Sequence, residues 1–365
     1  MNNFSIIIAY RDREVERVIA CLDSISKIKG NREVIFVDYG SKIGHSNLIQ
    51  SELNQYEFVR HHFLDTEGLI WNKCEALNYG INIASYPIIV IADIDLLLPE
   101  HFLIECFKYD LKVQFLTFDC YYLPQKYDQN TQDEIPFSFV GLLVTLKEKL
   151  NLVNGFDEYY IGWGVEDDDM VARLELTGLK RVHISVDKLP IKHIWHPVRS
   201  PRKPSLWYIQ MVQHYGENLN KNEYAGTRIT TNFQRPAKAI HASKGYLGQI
   251  KLELVSYRKI LTFNNFILQF HKMKSGETAW FEFIILPEYK GRLAKLVDRT
   301  NNLLKRQRIF NYRFLRAEKL DGEVIIETED VVNFLFYFIG VNRIYLSDYY
   351  LEQSTEKILL ILIKK

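Results

Sequence analysis

The sequence predicts an α/β domain built on a mostly parallel sheet, followed by a smaller α+β domain. Short apolar runs typical of buried strands alternate with segments of helical periodicity through the first half of the chain. Several of these runs end in polar residues, as expected where the carboxyl ends of strands form a binding edge. From about residue 240 the pattern changes, so we place the domains at residues 1–235 and 240–365.

The first domain opens with the predicted strand Ser5–Ala9, which runs into a polar segment at Tyr10. The segment Glu14–Ser26 is predicted as a helix, because apolar residues recur in it at helical spacing. Further strands are predicted at Glu33–Val37 and Ile88–Ala92, and further helices at Lys73–Ala84 and Ser205–Leu219. The carboxyl ends of the strands should bring their polar residues together at one edge of the sheet.

The second domain contains predicted strands and one predicted helix, but no motif of known chemistry. The strands are Ile250–Tyr257, Trp280–Leu286, Val324–Ile326, Arg343–Leu346 and Lys357–Ile363. The helix, Tyr289–Arg308, is basic and amphipathic. It could pack on the first domain, contact a partner or touch an anionic membrane surface, and the sequence leaves these alternatives open.

Length and composition fit a two-domain globular protein that does not bind nucleic acid. The chain has 365 residues, of which 47% are hydrophobic and 25% charged, so it can bury a sizeable core. A formal net charge of +1 gives no basic footprint for nucleic acid. The four cysteines show no CxxC pair, so we expect buried, reduced thiols.

The expected location is cytoplasmic. The first residues lack the charged and apolar regions of a signal peptide, and no apolar run is long enough to span a membrane. Contact with the inner face of a membrane stays open.

The most informative segment is Gly162-Trp163-Gly164-Val165-Glu166-Asp167-Asp168-Asp169, which leads into a predicted helix. Adjacent carboxylates repel one another, and the free N–H groups and dipole of a helix start compensate this repulsion only in part. An ordinary acidic helix start is the alternative interpretation. The glycines and Trp163 favour a binding loop, in which the ring stacks on a planar ligand and the carboxylates meet its hydroxyl groups.

Asp93 and Asp95 follow an entirely apolar predicted strand, so they should lie at the edge of the sheet. Carboxylates placed in this way suit Mg²⁺ or Mn²⁺, which often share their ligands with substrate phosphates. His193 and His196 are candidate further ligands, but both can bind one ion only if the extended chain bends between them. The alternatives are a plain turn after a strand and ordinary surface or packed histidines.

Polar side chains also follow the first two predicted strands. Arg11 and Arg13 are candidates for binding a diphosphate, because arginine matches phosphate geometry better than lysine does. Solvated loop charges are the alternative. Asp38 could accept a hydrogen bond from a base or a ribose, or it could belong to a plain Asp-Gly-Ser turn.

Several segments occur together in one order along the chain: Ile7–Glu14, Trp71–Gly80, Asp93–Asp95, Asn154–Asp157 and Gly162–Asp169. In this order they resemble the inverting nucleotide-sugar glycosyltransferases of the GT-A fold, with the greatest likeness to β-1,4-galactosyltransferases and bacterial chondroitin-polymerase-like enzymes. The resemblance covers roughly residues 3–200. It implies a Rossmann-like GT-A catalytic domain, a UDP-sugar donor, Mn²⁺ or Mg²⁺, a saccharide acceptor and a role in bacterial polysaccharide biosynthesis.

By this resemblance the site residues fall into three groups. The donor-binding group is Tyr10, Arg11, Arg13, Asp38, Lys73 and Asp93, of which Asp93 would contact the ribose. The metal-binding group is Asp95 and His196, with His193 as an additional candidate. The catalytic and acceptor-binding group has Asp167 as the base, Glu166 and Asp168 as residues that orient the acceptor, and Trp163 and Gly164 facing the sugars.

Two residues depart from the family pattern. Tyr39 stands where many relatives have a second Asp, so the contacts on the pyrimidine side can differ. His193 replaces a thioether ligand of the vertebrate galactosyltransferases, so the metal preference can differ as well.

The implied reaction is a single displacement, in which Asp167 takes the proton of an acceptor hydroxyl as its oxygen attacks the anomeric carbon. A hexose or N-acetylhexosamine would pass from a UDP-sugar to a saccharide or glycoconjugate with inversion. The alternatives are a non-catalytic carbohydrate- or partner-binding protein on the same fold, and a sugar-nucleotidyltransferase. The latter would be expected to carry a glycine-rich phosphate loop near the first strand, and Tyr10–Glu14 has none.

Overall fold

A computed structural model describes residues 3–124, 135–196, 206–222, 224–229, 246–254, 259–285, 328–354 and 357–365. The chain divides into two compact units, Met1–Pro236 and Ala237–Lys365. The sequence-based candidate site residues all belong to the first unit.

The first unit alternates strands and helices. Its strands are β1 (Phe4–Tyr10), β2 (Arg32–Asp38), β3 (Val59–Phe63), β4 (Ile88–Ile91), β5 (Leu96–Leu97), β6 (Gln114–Tyr122), β7 (Ile135–Leu146), β8 (Lys180–Ile184) and β9 (Lys192–His193). Its helices are α1 (Val15–Ser26), α2 (Ile43–Leu53), α3 (Lys73–Ile83), α4 (Phe102–Cys106), α5 (Lys147–Leu152), α6 (Glu166–Leu176) and α7 (Leu206–Asn220).

Within the described residues these strands form one nine-stranded sheet, in the order β3-β2-β1-β4-β7-β6-β9-β5, with β8 beside β6. Strands β3, β2, β1 and β4 run parallel to one another, and the antiparallel strand β7 joins them to the second half of the sheet. The prediction of a Rossmann-like, mostly parallel α/β domain is confirmed. The carboxyl ends of β1, β2 and β4 consequently lie along one edge.

The core explains why α1 packs on the sheet. The apolar residues of α1 that recur at helical spacing, among them Val18, Leu22 and Ile25, are fully buried against Ile6 and Ile8 of β1. On helix α3, Gly80 brings the backbone close to the sheet, because a Cβ at this position would lie 2.4 Å from Ile7 Cγ2. Helix α3 therefore has a fixed height above β1 and β2, which sets the position of its first residue.

Most predicted elements of this unit are present with small shifts at their ends, including the strands near residues 5, 33 and 88 and the helices near 15, 73 and 206. The elements that were not predicted are strands β3 and β5 to β9 and helices α2, α4 and α5. Strand β3, with the sequence VRHHF, lacks an apolar run, and helix α2 leaves Ile43 and Leu48 exposed. Strand β3 and helix α2 therefore lack the regular spacing of apolar residues from which a buried strand or helix is predicted.

The described residues of the second unit form a four-stranded sheet in the order β10-β11-β13-β12, where β10 is Tyr246–Leu254, β11 is Thr278–Ile285, β12 is Leu346–Gln353 and β13 is Lys357–Lys364. Helices Lys259–Lys272 and Thr328–Asn342, which were not predicted, contribute Phe266 and Phe338, whose rings pack 4.5 Å apart. The strand predicted at Arg343–Leu346 is wrong. Residues Arg343–Tyr345 form a 3-10 turn, and the strand begins at Leu346, after the preceding helix has ended.

Two predictions for the second unit, the basic helix Tyr289–Arg308 and the strand Val324–Ile326, lie outside the described residues. All four cysteines are buried and carry free thiols, as expected. None of the helices among the described residues is long and apolar enough to cross a membrane.

Candidate active site

Asp93 and Asp95 lie directly beyond the carboxyl end of β4, as predicted. The strand that follows, β5, pairs with β9 through Leu96 and His193. The backbone N–H of Ile194 also donates to the carbonyl oxygen of Asp95, at 2.8 Å. These bonds hold the two segments of chain together and bring the two histidines beside Asp95.

Asp95, His193 and His196 converge at one point. Asp95 Oδ1 lies 3.4 Å from His193 Nε2, and Asp95 Oδ2 lies 3.3 Å from His196 Nε2. Strand β9 ends at His193, so the chain is free to bend there, and the two imidazole rings lie 5.2 Å apart. The ligand atoms of all three residues fall within 4.8 Å of one another. Tyr122 stacks on the ring of His193, at 4.4 Å between centroids.

Two groups of this cluster have pKa values below their usual values. Burial opposes ionisation of Asp95, but the hydrogen bond from His196 and the charges of His193, His196 and Arg17 hold the pKa of this carboxyl below its usual value. Burial lowers the pKa of His193. Asp95 Oδ1 is buried and accepts no hydrogen bond from the residues that the structure describes, so this oxygen could coordinate a metal ion.

Lys73, at the first position of α3, bridges carboxylates from two distant segments. Its Nζ lies 3.1 Å from Asp93 Oδ1, 3.2 Å from Asp167 Oδ2 and 3.4 Å from Glu166 Oε1. Only 12% of its side chain is exposed. Burial disfavours a charged amine, but the three carboxylates outweigh that effect and raise the pKa of Lys73 well above its ordinary value. Lys73 therefore links the end of β4 to the start of α6.

Helix α6 begins at Glu166, so the four adjacent carboxylates fill its first turn. Val165 precedes the helix with a φ of 76°, in the left-handed region that a β-branched residue rarely adopts, which marks a constrained approach to the helix. Successive helical residues are about 100° apart, so the four side chains point in different directions. Glu166 and Asp167 face Lys73, whereas Asp169 points into the interior.

The four carboxylates have different environments. Burial, together with the neighbouring charges of Glu166 and Asp93, raises the pKa of Asp167 to about 7, although Lys73 opposes the shift. Burial and the charge of Glu166 raise the pKa of Asp168 less strongly, with Arg181 acting in the opposite sense. An acid with a pKa near neutrality is suited to proton transfer.

Asp169 has a structural role. Its Oδ2 accepts from Arg173 Nε at 2.7 Å, and its Oδ1 accepts from the hydroxyl of Tyr160 at 3.0 Å. Arg173 is fully buried and also donates to the carbonyl oxygens of Val153 and Gly155. This network ties α6 to the loop before it.

Trp163 is presented to solvent beside the acidic helix start, with 71% of its surface exposed. Gly164 follows it with a φ of 102°, and a Cβ there would lie 3.0 Å from the ring of Tyr208. The positive φ favours glycine at position 164, and the ring of Tyr208 leaves little room for a larger residue. An exposed ring beside carboxylates is suited to stacking on a sugar while the carboxylates bind its hydroxyl groups.

The polar contacts that hold α3 against the loop before α6 were not predicted from the sequence. Asn78 Nδ2 donates to the carbonyl oxygen of Phe156 and to Glu158 Oε1, at 2.8 and 2.9 Å, and Asn78 Oδ1 accepts from Phe156 N. Asn72 Oδ1 accepts from Glu75 N as the N-cap of α3, and its Nδ2 donates to the carbonyl oxygen of Glu158. An asparagine inside a helical pattern was the available signal.

The remaining predicted donor-binding residues form a separate group at the ends of β1 and β2. Arg11 Nη1 donates to the carbonyl oxygen of Leu69, and its guanidinium lies 6.0 Å from the ring of Tyr39. Tyr10 is buried and donates from its hydroxyl to the carbonyl oxygen of Arg13. Asp38 is buried too, and it accepts from Ser41 N at 2.8 Å. Their contact with a donor stays a prediction, since neither Tyr10 nor Asp38 exposes side-chain surface.

Two family models match the part of the chain that contains this site. The model described as "Glycosyl transferase family 2" matches residues 5–141. The model described as "N-terminal domain of galactosyltransferase" matches residues 127–197. The first match includes β1 to β4 with Lys73, Asp93 and Asp95, and the second includes the Gly-Trp-Gly segment, the acidic turn and both histidines.

Solved structures of glycosyltransferases are similar to this chain. The catalytic domain of Drosophila β1,4-galactosyltransferase 7, in complex with xylobiose, is 18% identical, with 58% of this chain and 80% of that chain covered and a TM-score of 0.41. The mannosyltransferase PcManGT of Pyrobaculum calidifontis, with GDP-Man and Mn²⁺, is 18% identical over 62% and 65% of the two chains, with a TM-score of 0.44. TarS 1–349 of S. aureus, in complex with UDP-GlcNAc, is 12% identical over 60% and 66%, with a TM-score of 0.47.

The buried pair of Asp169 and Arg173 predicts that neighbouring aspartates differ in their effect on stability. Asp169→Asn should lower the free energy of unfolding by about 3–5 kcal/mol, because it leaves the charge of Arg173 buried without its partner. The exposed Asp168 is the matched control, and Asp168→Asn should change the same quantity by less than about 1 kcal/mol. Urea unfolding followed by circular dichroism measures both values. Equal losses for the two variants would contradict a structural role specific to Asp169.

Proposed function

We propose that this chain, a nucleotide-sugar glycosyltransferase with a GT-A catalytic domain, transfers a hexose or N-acetylhexosamine from a UDP-sugar to a saccharide or glycoconjugate hydroxyl with inversion. The observation that carries the proposal is the adjacency of two clusters. Asp95 with His193 and His196 offers a metal site, and Asp93, two residues earlier, joins through Lys73 to Asp167. The proposed metal ligands, for a leaving diphosphate, and the proposed base, for an attacking hydroxyl, therefore lie at the same edge of the sheet.

Asp95, His193 and His196 would hold a divalent metal ion. One carboxylate and two imidazoles are ligands that suit Mn²⁺ and related ions better than Mg²⁺, which prefers oxygen alone. The buried Oδ1 of Asp95, which accepts no hydrogen bond within the described part of the chain, fits this role. A bound ion supplies positive charge that stabilises the negative charge growing on the departing diphosphate.

The donor would lie across the carboxyl ends of β1, β2 and β4. Arg11 and Arg13, after β1, are proposed to bind its diphosphate, and Asp38, after β2, its nucleoside end. Asp93 is proposed to accept from the ribose, and Lys73 Nζ, 3.1 Å from Asp93, can add a donor to the phosphate side. Tyr10, at the end of β1, is proposed to belong to the same donor site, and its buried side chain would support that site from within the fold.

Asp167 is proposed as the base. With a pKa of about 7, a substantial fraction of this carboxyl is ionised at neutral pH, and the group remains basic enough to accept a proton. It would take the hydroxyl proton of the acceptor as the acceptor oxygen bonds to the anomeric carbon and the bond to the diphosphate breaks. Glu166 and Asp168 would orient the acceptor, and Trp163 with Gly164 would face its ring.

The proposed metal site makes activity dependent on Asp95. Asp95→Ala should abolish sugar transfer, because it removes the single carboxylate of the ligand set. The control is Asp110→Ala, which removes an exposed carboxylate that precedes β6 and should leave transfer unchanged. Release of UDP from UDP-Gal, UDP-GalNAc, UDP-Glc and UDP-GlcNAc, with and without Mn²⁺, measures the effect. Full turnover in excess EDTA would rule out the proposed site.

The proposed base predicts the pH dependence of transfer. The rate should rise with pH through about 7, since only the ionised form of Asp167 accepts a proton. Asp167→Asn should lower the rate about 10²–10⁴-fold and leave UDP affinity largely unchanged. The control, Asp187→Asn, changes an exposed carboxylate and should keep both rate and profile. If Asp167→Asn instead loses UDP binding, then Asp167 belongs to the donor site.

We also propose that the first unit binds the donor without the second. We expect a fragment of residues 1–236 to stay folded and to bind UDP, because every candidate site residue lies within the first unit. Circular dichroism establishes folding of the fragment, and calorimetric titration with UDP and Mn²⁺ compares its affinity with that of the full chain. A folded fragment without affinity for UDP would show that residues 237–365 contribute to the donor site.

A further inference from the structure

Arg17 is a buried cation next to the candidate metal ligands. It lies in the first turn of α1, and only 8% of its side chain is exposed. Its Nη1 is 3.6 Å from Asp95 Oδ2, on the side of the carboxylate that also faces His196. Its Nη2 pairs with Glu14, whose side chain is 52% exposed. Arg17 thus connects Asp95 to a carboxylate at the protein surface.

Asp95 has several contacts besides Arg17 that hold it in place. Both carboxylate oxygens of Asp95 already face imidazole nitrogens at 3.3 and 3.4 Å, and its carbonyl oxygen accepts from Ile194 N. The neighbours of Arg17 on the inner face of α1, Val18 and Cys21, are apolar core residues. A well-packed apolar side chain often replaces a buried ion pair without loss of stability, so packing alone does not explain a guanidinium at this position.

The charge of Arg17 changes the net charge that a cation meets at the candidate metal site. Asp95 and two neutral imidazoles give a ligand set with one negative charge, and the guanidinium beside Asp95 offsets that charge. Partly buried charges at such distances interact by more than they do in water, and salt screens them weakly. The number of ligand charges is one of the quantities that set the affinity of a site for a divalent ion.

We propose that Arg17 is a resident counter-charge that weakens the affinity of the Asp95, His193 and His196 site for a divalent cation alone, and that Glu14 limits this effect. The site then retains a metal ion well only when further negative charge is present, as a nucleoside diphosphate provides. Arg17 is in this sense a tuning residue of the metal site. This inference rests on the metal site of the proposed function.

The test measures the affinity of the full chain for Mn²⁺ in the absence of nucleotide. The concentration of free Mn²⁺ is monitored by its electron paramagnetic resonance signal. Arg17→Met, which keeps an unbranched side chain of similar length and removes the charge, should bind Mn²⁺ roughly three- to tenfold more tightly than wild type. Glu14→Gln should bind it more weakly, because the full charge of Arg17 then acts on the site. A higher affinity for Mn²⁺ in the first variant and a lower affinity in the second would distinguish an effect of charge from a general disturbance of the site.

A matched control removes an arginine at the other edge of the sheet. Arg60 of β3 pairs with Glu33 at 2.8 Å, near the amino end of β2, and Arg60→Met makes the same change in net charge. Its affinity for Mn²⁺ should equal that of wild type. Asp95→Ala, which should abolish Mn²⁺ binding, establishes that the measured ion occupies this site.

The outcomes distinguish a failure of the proposed metal site from a failure of the proposed role of Arg17. If Asp95→Ala abolishes binding but Arg17→Met leaves it unchanged or weaker, the metal site stands and the role of Arg17 is refuted. If Asp95→Ala has no effect, both are refuted. Should Arg17→Met fail to fold, Glu14→Gln decides alone, because Glu14 is exposed at the helix start, and an unchanged or raised affinity would overturn the inference.

Discussion

The candidate site depends on the ammonium group of Lys73. Its Nζ lies within 3.4 Å of carboxylates from the end of β4 and the start of α6. These carboxylates are largely withdrawn from solvent, and without a cation between them their repulsion would disfavour the close approach of the two segments. Lys73 therefore does more than contribute one charge, because it allows the acidic turn to be built next to Asp93.

The position of Lys73 follows in turn from how α3 is fixed. Gly80 lets the helix approach Ile7 of β1, and Asn78 binds the loop that leads to α6. Asn72 both caps the helix and donates to the carbonyl oxygen of Glu158. Each contact joins a local feature of α3 to a distant segment, so the geometry of the site is determined by the packing of one helix.

The parts of this arrangement that the sequence predicted are those with a local pattern. The strand near Ile88 is apolar throughout, so its end and the place of Asp93 and Asp95 could be inferred from it, and the acidic helix start was likewise visible. The ion pairs of Lys73 and the contacts of Asn78 join residues far apart in sequence, and no local pattern specifies them. The bend after His193 depends on the pairing of a two-residue strand, which is too short to recognise in a sequence.

Four carboxylates adjacent in sequence illustrate how a helix separates chemical roles. The rotation of about 100° per residue turns Asp169 into the interior, where Arg173 and Tyr160 bind it, and leaves Glu166 and Asp167 on the side of Lys73.

The cluster around Lys73 contains three carboxylates and one ammonium, so it is negative when all are ionised. On the proposed function, an anionic diphosphate would have to approach this negative charge. The elevated pKa of Asp167 reduces that charge near neutrality, and a divalent cation at Asp95 would compensate the remainder where the leaving group departs. With a cation bound at Asp95, the two clusters would therefore be complementary in charge as well as adjacent in space.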